Sequence, residues 1–302
     1  MNLLSRFLPN RSPDFSRQSP FSRFPQWSGT VPAGYVTNFL GQLTRVAFVK
    51  GWDLPGRMVE RQETGAYPNL SEETFEWELM LAAVLEAREH FVMVEAGAGY
   101  GRWLVGAALA MRQAHPEIPI SLIGIEPEPQ HYEWLLQHLR DNGLSSGEHM
   151  MIHGAVDAHD GTAFLTMGDP AAWYGQFIVP TAEAPAVPEA QTTLRVPVYS
   201  VARLLAGHDR VDLLDMDIQG AEAGAVAAGI DAMTAKVKRA FVETHSAPIH
   251  TAVAGTFRAA GWQCLHCYGF VDGRAPSTDR TPYGPVEIEA GLQCWINPRA
   301  LA

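Results

Sequence analysis

Three glycines in five residues, Gly97, Gly99 and Gly101, close the apolar run FVMVEAG (91–97) and open YGRWLVGAALAMRQA (100–114), a stretch of helical composition. A strand, a tight turn and a helix in that order let the backbone approach a ligand closely. They also aim the free N–H groups of the helix at it, as in a nucleotide-type loop. Side chains able to bind hydroxyls or carry protons follow at matching places. Glu126-Pro127 ends SLIGIEPEP (121–129), and Asp157 follows Gly154-Ala155-Val156. Asp217 closes VDLLDMDIQG (211–220), and Glu243 and His245 close VKRAFVETHS (237–246). Carboxylates in such positions accept hydroxyl donors, and a histidine titrating near neutrality can take a proton from one. A dinucleotide fingerprint G-x-G-x-x-G needs glycine at 102, where Arg102 stands. The 29 residues from Gly97 to Glu126 also exceed the roughly 20 that the fingerprint expects, so NAD(P)-dependent hydride transfer is the disfavoured alternative.

The elements that must position these residues read as alternating strands and helices. Phe75, Leu79, Ala82 and Ala83 make a helical stripe after Ser71-Glu72-Glu73, and Tyr132, Leu135, Leu136 and Leu139 make another, closed by Asn142-Gly143. Such alternation predicts βαβ units around a mostly parallel sheet with helices on both faces. WQCLHCYGF (262–270) and EIEAGLQCWI (287–296) have no long helix between them and predict an antiparallel edge. MMIHGAV (150–156) reads as one strand, with Asp160-Gly161 as a hairpin turn into FLTM (164–167). In an open sheet of this kind ligands sit beyond the carboxyl ends of the strands, where strand order reverses.

Residues 1–70 read as an N-terminal arm and 71–302 as the ligand-binding domain, with a Pro- and Ala-rich loop or lid at about 168–195. Four arginines, four prolines and Asp14 in the first 30 residues suggest a mobile or surface-draped arm. Its Phe15, Phe21, Phe24 and Trp27 could instead pack on the body or form a homodimer contact. A formal charge of -11 lacks the basic footprint of a nucleic-acid binder, and no apolar run reaches the roughly 20 residues that span a bilayer. Cys264, Cys267 and Cys294 are sparse and odd in number, which points to a reducing, cytoplasmic setting. The Cys264-Leu-His-Cys267 pair lies within a strand pattern and reads as core thiols, and His250 reads as lying on the surface of the following helix.

Glu95-Ala-Gly97-Ala-Gly99-Tyr-Gly101 resembles the first motif of class I S-adenosylmethionine-dependent methyltransferases. With Glu126-Pro127, Asp217-Ile-Gln219-Gly220-Ala221-Glu222 and FVETHS, the chain from about 75 to 262 resembles the FkbM-type family of these enzymes. Asp215 stands where many members have lysine, and Gln219 where many have glutamate. The resemblance implies a class I Rossmann-like sheet and methyl transfer from S-adenosyl-L-methionine to a hydroxyl of a sugar, natural product or other small molecule. Cofactor residues would be Glu95, Gly97, Ala98, Gly99, Tyr100, Gly101, Glu126, Pro127, Ala155, Val156, Asp157 and Asp217. His245 is the candidate general base, with Asp217 and Glu243 beside it, though Asp217 could instead cap a helix starting at Gln219. Asp215, Asp217 and Glu243 could also hold Mg2+, although no dedicated ligand loop is present. Trp173 and Tyr174 are candidates for covering the sulfonium or the acceptor. The second alternative is a non-catalytic module that keeps the cofactor fold.

Overall fold

Strands that are apolar on both faces must be covered by helices on both sides, and that need organises the chain. The structure, a computed structural model, describes residues 14–300 except 19, 146, 173–176 and 181–192. The extension carries β1 (Ser28–Val31), β2 (Tyr35–Val36), β3 (Thr44–Arg45) and β4 (Arg61–Thr64). There follow α1 (Glu73–Leu85), β5 (Phe91–Ala96), α2 (Arg102–Ala114), β6 (Ile120–Glu126), α3 (Pro129–Asp141) and β7 (Met150–His153). Four strands then make a satellite sheet: β8 (Ala155–Asp157), β9 (Gly161–Thr166), β10 (Ile178–Pro180) and β11 (Thr193–Ser200). The chain continues through α4 (Val201–Leu205), β12 (Val211–Met216), α5 (Glu222–Lys236), β13 (Val237–Thr244) and α6 (Ala247–Ala259). It closes with β14 (Gln263–Tyr268), β15 (Ser277–Thr281), β16 (Gly284–Ile288) and β17 (Gly291–Ile296).

The main sheet has seven strands in the order β14-β17-β13-β12-β5-β6-β7, and β17 alone runs against its neighbours. The two last strands pair antiparallel as expected, but β17 slides inside β14, which becomes the edge. Period-two alternation sorts the side chains. Met93, Leu213 and Phe241 pack with α1 and α2, while Val94, Leu214 and Val242 pack with α5 and α6. Two residues further along β5, β12 and β13 stand Glu95, Asp215 and Glu243, on the α1 face. The apolar pattern thus gives way to carboxylates at the carboxyl ends. Strand order reverses between β5 and β12, which opens the crevice there.

Three local readings change. MMIHGAV is broken at Gly154: β7 stays in the main sheet and β8 leaves for the satellite sheet. A Cβ at Gly154 would press on the Tyr199 ring and the Pro197 carbonyl, so the bend requires glycine. Asp160-Gly161 does not close a hairpin, because β11 inserts between β8 and β9. The segment read as a lid contributes β10 and the start of β11, while 173–176 and 181–192 lie outside the described residues. Among the described residues no helix is long and apolar enough to cross a membrane.

The arm is not draped over the surface from residue 14 onward. Phe15, Phe21 and Phe24 are buried in the same cluster as α1 and α2, and Phe21 lies 6.0 Å from Phe39, which meets Trp77 at 5.3 Å. Arg45 grips Asp141 with two hydrogen bonds of 2.6 and 2.9 Å, and the Gln42 amide donates to the Arg102 carbonyl at 2.9 Å. Phe15, Phe21 and Phe24 are therefore interior side chains of this chain, and Trp27 is half-buried. Phe21→Ala is expected to cost about 3–5 kcal/mol, the usual range for emptying a phenylalanine site in a core. Urea unfolding measures it, and an unchanged midpoint would return the arm to the surface.

Candidate active site

The glycine loop is shaped by two backbone requirements. Gly97, Gly99 and Gly101 all have positive φ, and a Cβ on Gly97 would run into the Asp217 carbonyl oxygen. The ends of β5 and β12 are joined there by an Asp217 N–H bond to the Ala96 carbonyl at 2.9 Å. Gly97 and Ala98 N–H both donate to Ile125 at 2.9 Å, and Gly99 N–H donates to Glu126 Oε2 at 2.8 Å. Glu95 has a supporting role: its Oε2 accepts the Leu104 N–H at 3.0 Å, placing a carboxylate on the first turn of α2. Gly101 turns the chain in the left-handed region before α2 and leaves room for the Leu135 side chain.

Beyond the loop lies a pocket bounded by Glu126, Pro127, Ala155, Val156, Leu165 and Ile178, with Asp217 at its inner end. Glu126 is buried, and its Oε1 also accepts the Glu128 N–H at 2.8 Å. Each carboxylate oxygen has two lone pairs, so Oε2, which accepts one N–H, retains capacity for a ligand hydroxyl. His131 stands behind it, with Nδ1 3.7 Å from Glu126 Oε1 and Nε2 2.8 Å from the Pro170 carbonyl. Burial pulls the His131 pKa down, but the bond and charge of Glu126 outweigh it and the net direction is up. Asp157 accepts its neighbour's N–H at 2.6 Å and stands beside the lining rather than in it.

A second cleft of about 630 Å3 opens on the other side of the loop and shares Gly97, Gly99 and Asp217 with the first pocket. Its wall includes Glu95, Ala98, Tyr100, Asp215 and Glu243. Val49, Lys50 and Trp52 of the extension close it from above. Behind Asp217 and Glu243, outside the lining of either cavity, His245 Nδ1 donates to Glu222 Oε1 at 2.8 Å, and Nε2 lies 3.4 Å from Asp217 Oδ1 and 3.9 Å from Glu243 Oε1. Glu222 is fully buried, and its Oε1 also accepts the Gly220 N–H at 2.9 Å. Burial lowers the His245 pKa, but the Glu222 bond and the charges of Asp217 and Glu222 raise it further, so it ends above 6.5. Burial, reinforced by Asp217, pushes the Glu243 carboxyl well above its usual range.

The candidates for catalysis, His245, Asp217 and Glu243, therefore come together. The candidate Mg2+ set does not: among the described residues only Asp217, Glu222 and His245 bring ligating atoms within 4.8 Å of one another, while Asp215 turns to Glu76 under α1. Asp217 caps no helix at Gln219, since α5 starts at Glu222 and the Gln219 amide donates to Asp217 at 2.7 Å. Trp173 and Tyr174 lie outside the described residues. Cys264 is exposed and Cys267 half-buried rather than core thiols, because β14 is the sheet edge. His250 is held between Thr244 Oγ1 at 2.8 Å and Cys267 Sγ at 3.3 Å instead of standing on the helix surface. Glu222, His131 and Glu76 were not singled out by sequence. Glu222 closes the Asp217–Glu222 motif, which was the available signal, whereas His131 and Glu76 sit in helical stretches without one.

A seven-stranded sheet of this order, with one reversed strand and a glycine loop at its switch point, defines a class I Rossmann-like methyltransferase fold. The profile of the methyltransferase FkbM domain matches residues 95–262, and the chain belongs to that family. It is 28% identical over 248 residues to a protein of Jannaschia sp. (strain CCS1) provisionally named a methyltransferase, covering 79% of this chain and 86% of that one. Solved structures similar to it include methyltransferase FkbM from Methylobacillus flagellatus KT. That likeness has 13% identity and a TM-score of 0.39, over 69% of this chain and 45% of that one. Another is precorrin-6y C5,15-methyltransferase from Geobacter metallireducens GS-15, with 12% identity and a TM-score of 0.36, over 72% and 86% of the two chains.

Proposed function

We propose that the protein transfers a methyl group from S-adenosyl-L-methionine to a hydroxyl of a small molecule, a sugar or natural product, releasing S-adenosyl-L-homocysteine. The observation that carries this reading is the junction at Gly97, Gly99 and Asp217 of two cavities, with the His245 imidazole beside it. The residues fit the cofactor: Glu126 can take a ribose hydroxyl, Ala155 and Val156 offer an apolar slot for an adenine, and a glycine loop lets a ligand lie against the backbone. Bound there, the cofactor supplies an electrophilic methyl on a sulfonium. The remaining work belongs to side chains. The second cleft holds the acceptor in line with the loop, and the extension excludes water. His245 Nε2 removes the hydroxyl proton while Glu222 fixes the opposite N–H. Asp217 and Glu243 then face the imidazolium that forms.

Glu95 weighs against the dinucleotide alternative. A pyrophosphate at the start of α2 would meet the N–H group that Glu95 already occupies, and would be repelled by that carboxylate when charged. Three unpaired cysteines suit the cytoplasm. The reading is tested by incubating the full chain with methyl-labelled cofactor and a panel of hydroxyl-bearing small molecules. Label recovered as an ether on one of them, with an equal amount of S-adenosyl-L-homocysteine, is expected. Label found only on nitrogen or carbon would overturn oxygen as the acceptor atom.

A further inference from the structure

We propose that Cys264 and Cys267 form a redox-active dithiol that exchanges with small disulfides of the glutathione class and closes into an internal disulfide. None of the side chains involved lines either cavity, so the site is separate from the methyl-transfer reading. Residues three apart on a regular strand point to opposite faces. Here they do not, because β14 carries a bulge: Cys264 pairs with Trp295 and His266 with Cys294, which leaves Leu265 without a partner on β17. The extra residue brings Cys267 opposite Gln293, two residues from Trp295, so both cysteines lie on the α6 face. The Cys264 thiol is bonded to the Cys267 sulfur, and it also faces the His266 carbonyl at 3.4 Å. Cys294 is buried on the opposite face, where its S–H donates to the Phe75 carbonyl at 3.7 Å. It competes for neither partner.

A second set of contacts prepares Cys267 as the attacking sulfur. His250 Nε2 lies 3.3 Å from its Sγ, and Nδ1 lies 2.8 Å from Thr244 Oγ1. Thr244 is buried at the end of β13, so its hydroxyl fixes the ring with the other nitrogen turned to the sulfur. The bond from Cys264, then the bond of His250 and the charges of His250 and Arg258, outweigh burial and hold the Cys267 thiol below its ordinary range. The same interaction raises Cys264, which keeps its proton until the second step. A thiolate beside a histidine and an arginine is the setting of reactive rather than structural cysteines. Approach is open, since β14 is the sheet edge, Cys264 is exposed and Cys267 is half-buried. In the first step Cys267 Sγ attacks one sulfur of the small disulfide, forming a mixed disulfide and releasing a thiolate. Cys264 then loses its proton and attacks Cys267 Sγ, expelling the second thiolate. Two cysteines are oxidised and one small disulfide is reduced to two thiols, which take up the protons the cysteines lost. In a reducing compartment the small thiol reverses the exchange, so the bond is transient.

The test incubates the full reduced chain with glutathione disulfide, quenches in acid, alkylates the remaining thiols and reads the products by peptide mass spectrometry. The expected product is a Cys264–Cys267 disulfide, lighter by two hydrogens, with two glutathione molecules released per chain and Cys294 unmodified. Iodoacetamide at about pH 6.5 is expected to alkylate Cys267 of the reduced chain about tenfold or more faster than Cys264, and His250→Gln to narrow that difference. Cys264→Ser, at an exposed position, should trap glutathione on Cys267, because no resolving sulfur remains. Should His250→Gln fold poorly, the wild-type alkylation rates and the Cys264→Ser trap decide alone. Glutathione retained on the wild-type chain without an internal disulfide, equal alkylation of the two cysteines, or disulfides formed only between chains would each overturn the proposal. Zinc retained by the reduced chain so that it blocks alkylation would also overturn it, by making the pair a metal site.

Discussion

Gly97→Ala is expected to weaken S-adenosyl-L-homocysteine binding by about a hundredfold or more, roughly 2.7 kcal/mol. Two costs act together. The residue has a φ of +80°, which disfavours any side chain by about 1–2 kcal/mol. The added Cβ also meets the Asp217 carbonyl, a backbone atom that cannot rotate away as a side chain would. Relief requires the ends of β5 and β12 to part, breaking the Asp217 to Ala96 bond and dismantling the junction of the two cavities. Gly255→Ala is the control: it lies in α6 with nothing near the new methyl, and Gly to Ala in an exposed helix is neutral or stabilising. Calorimetry and a melting curve on both variants make the comparison. Wild-type affinity in Gly97→Ala would remove the glycine loop from the cofactor site.

His245→Ala is expected to lower kcat by about 10²–10⁴, the range associated with general-base catalysis, while cofactor affinity changes little. Glu222→Gln keeps an acceptor for Nδ1 but loses the charge, so its effect on kcat is smaller and appears most clearly in the pH profile. The sign follows from proton occupancy. A base must be neutral to act, so activity rises as pH passes the His245 pKa, which lies above 6.5 in the folded chain. Removing the Glu222 charge lowers that pKa, and the acidic limb of kcat/KM moves to lower pH. Rates with the best acceptor from the labelled panel across pH 5 to 9 check both statements. Unchanged kcat in His245→Ala, or an acidic limb that does not move in Glu222→Gln, would assign the imidazole a positioning role only.

Much of the main sheet was legible because its chemistry repeats. Three buried strands run into Gly or an acid and a fourth into Thr244-His245, and helices between them force parallel neighbours, so Gly97, Glu126, Asp217 and His245 could be placed at one sheet end from their positions in sequence. What escaped reading depends on partners distant in the chain. Phe15, Phe21 and Phe24 lie in or beside short irregular turns and join the core cluster of α1 and α2, leaving no period to detect. Glu76 follows Phe75 in a helix buried on most sides, so no polar face marks it as unusual. Glu222 was visible as a motif residue, but its role comes from a histidine 23 residues later. The satellite sheet hangs on the break at Gly154, which looks like any glycine in a strand until Tyr199 is packed against it. Cys264 and Cys267 read as interior because β17, not β14, takes the inner position beside β13.

The central claim is that the pocket beside Glu126 holds an adenosyl cofactor for methyl transfer. Its most direct test is isothermal titration of the purified chain with S-adenosyl-L-homocysteine and, separately, NADH, repeated on Glu126→Ala. Affinity of about micromolar for S-adenosyl-L-homocysteine, weakened about tenfold or more by the substitution, with no heat from NADH, is the expected result. Binding of NADH alone, or S-adenosyl-L-homocysteine affinity indifferent to Glu126, would contradict it.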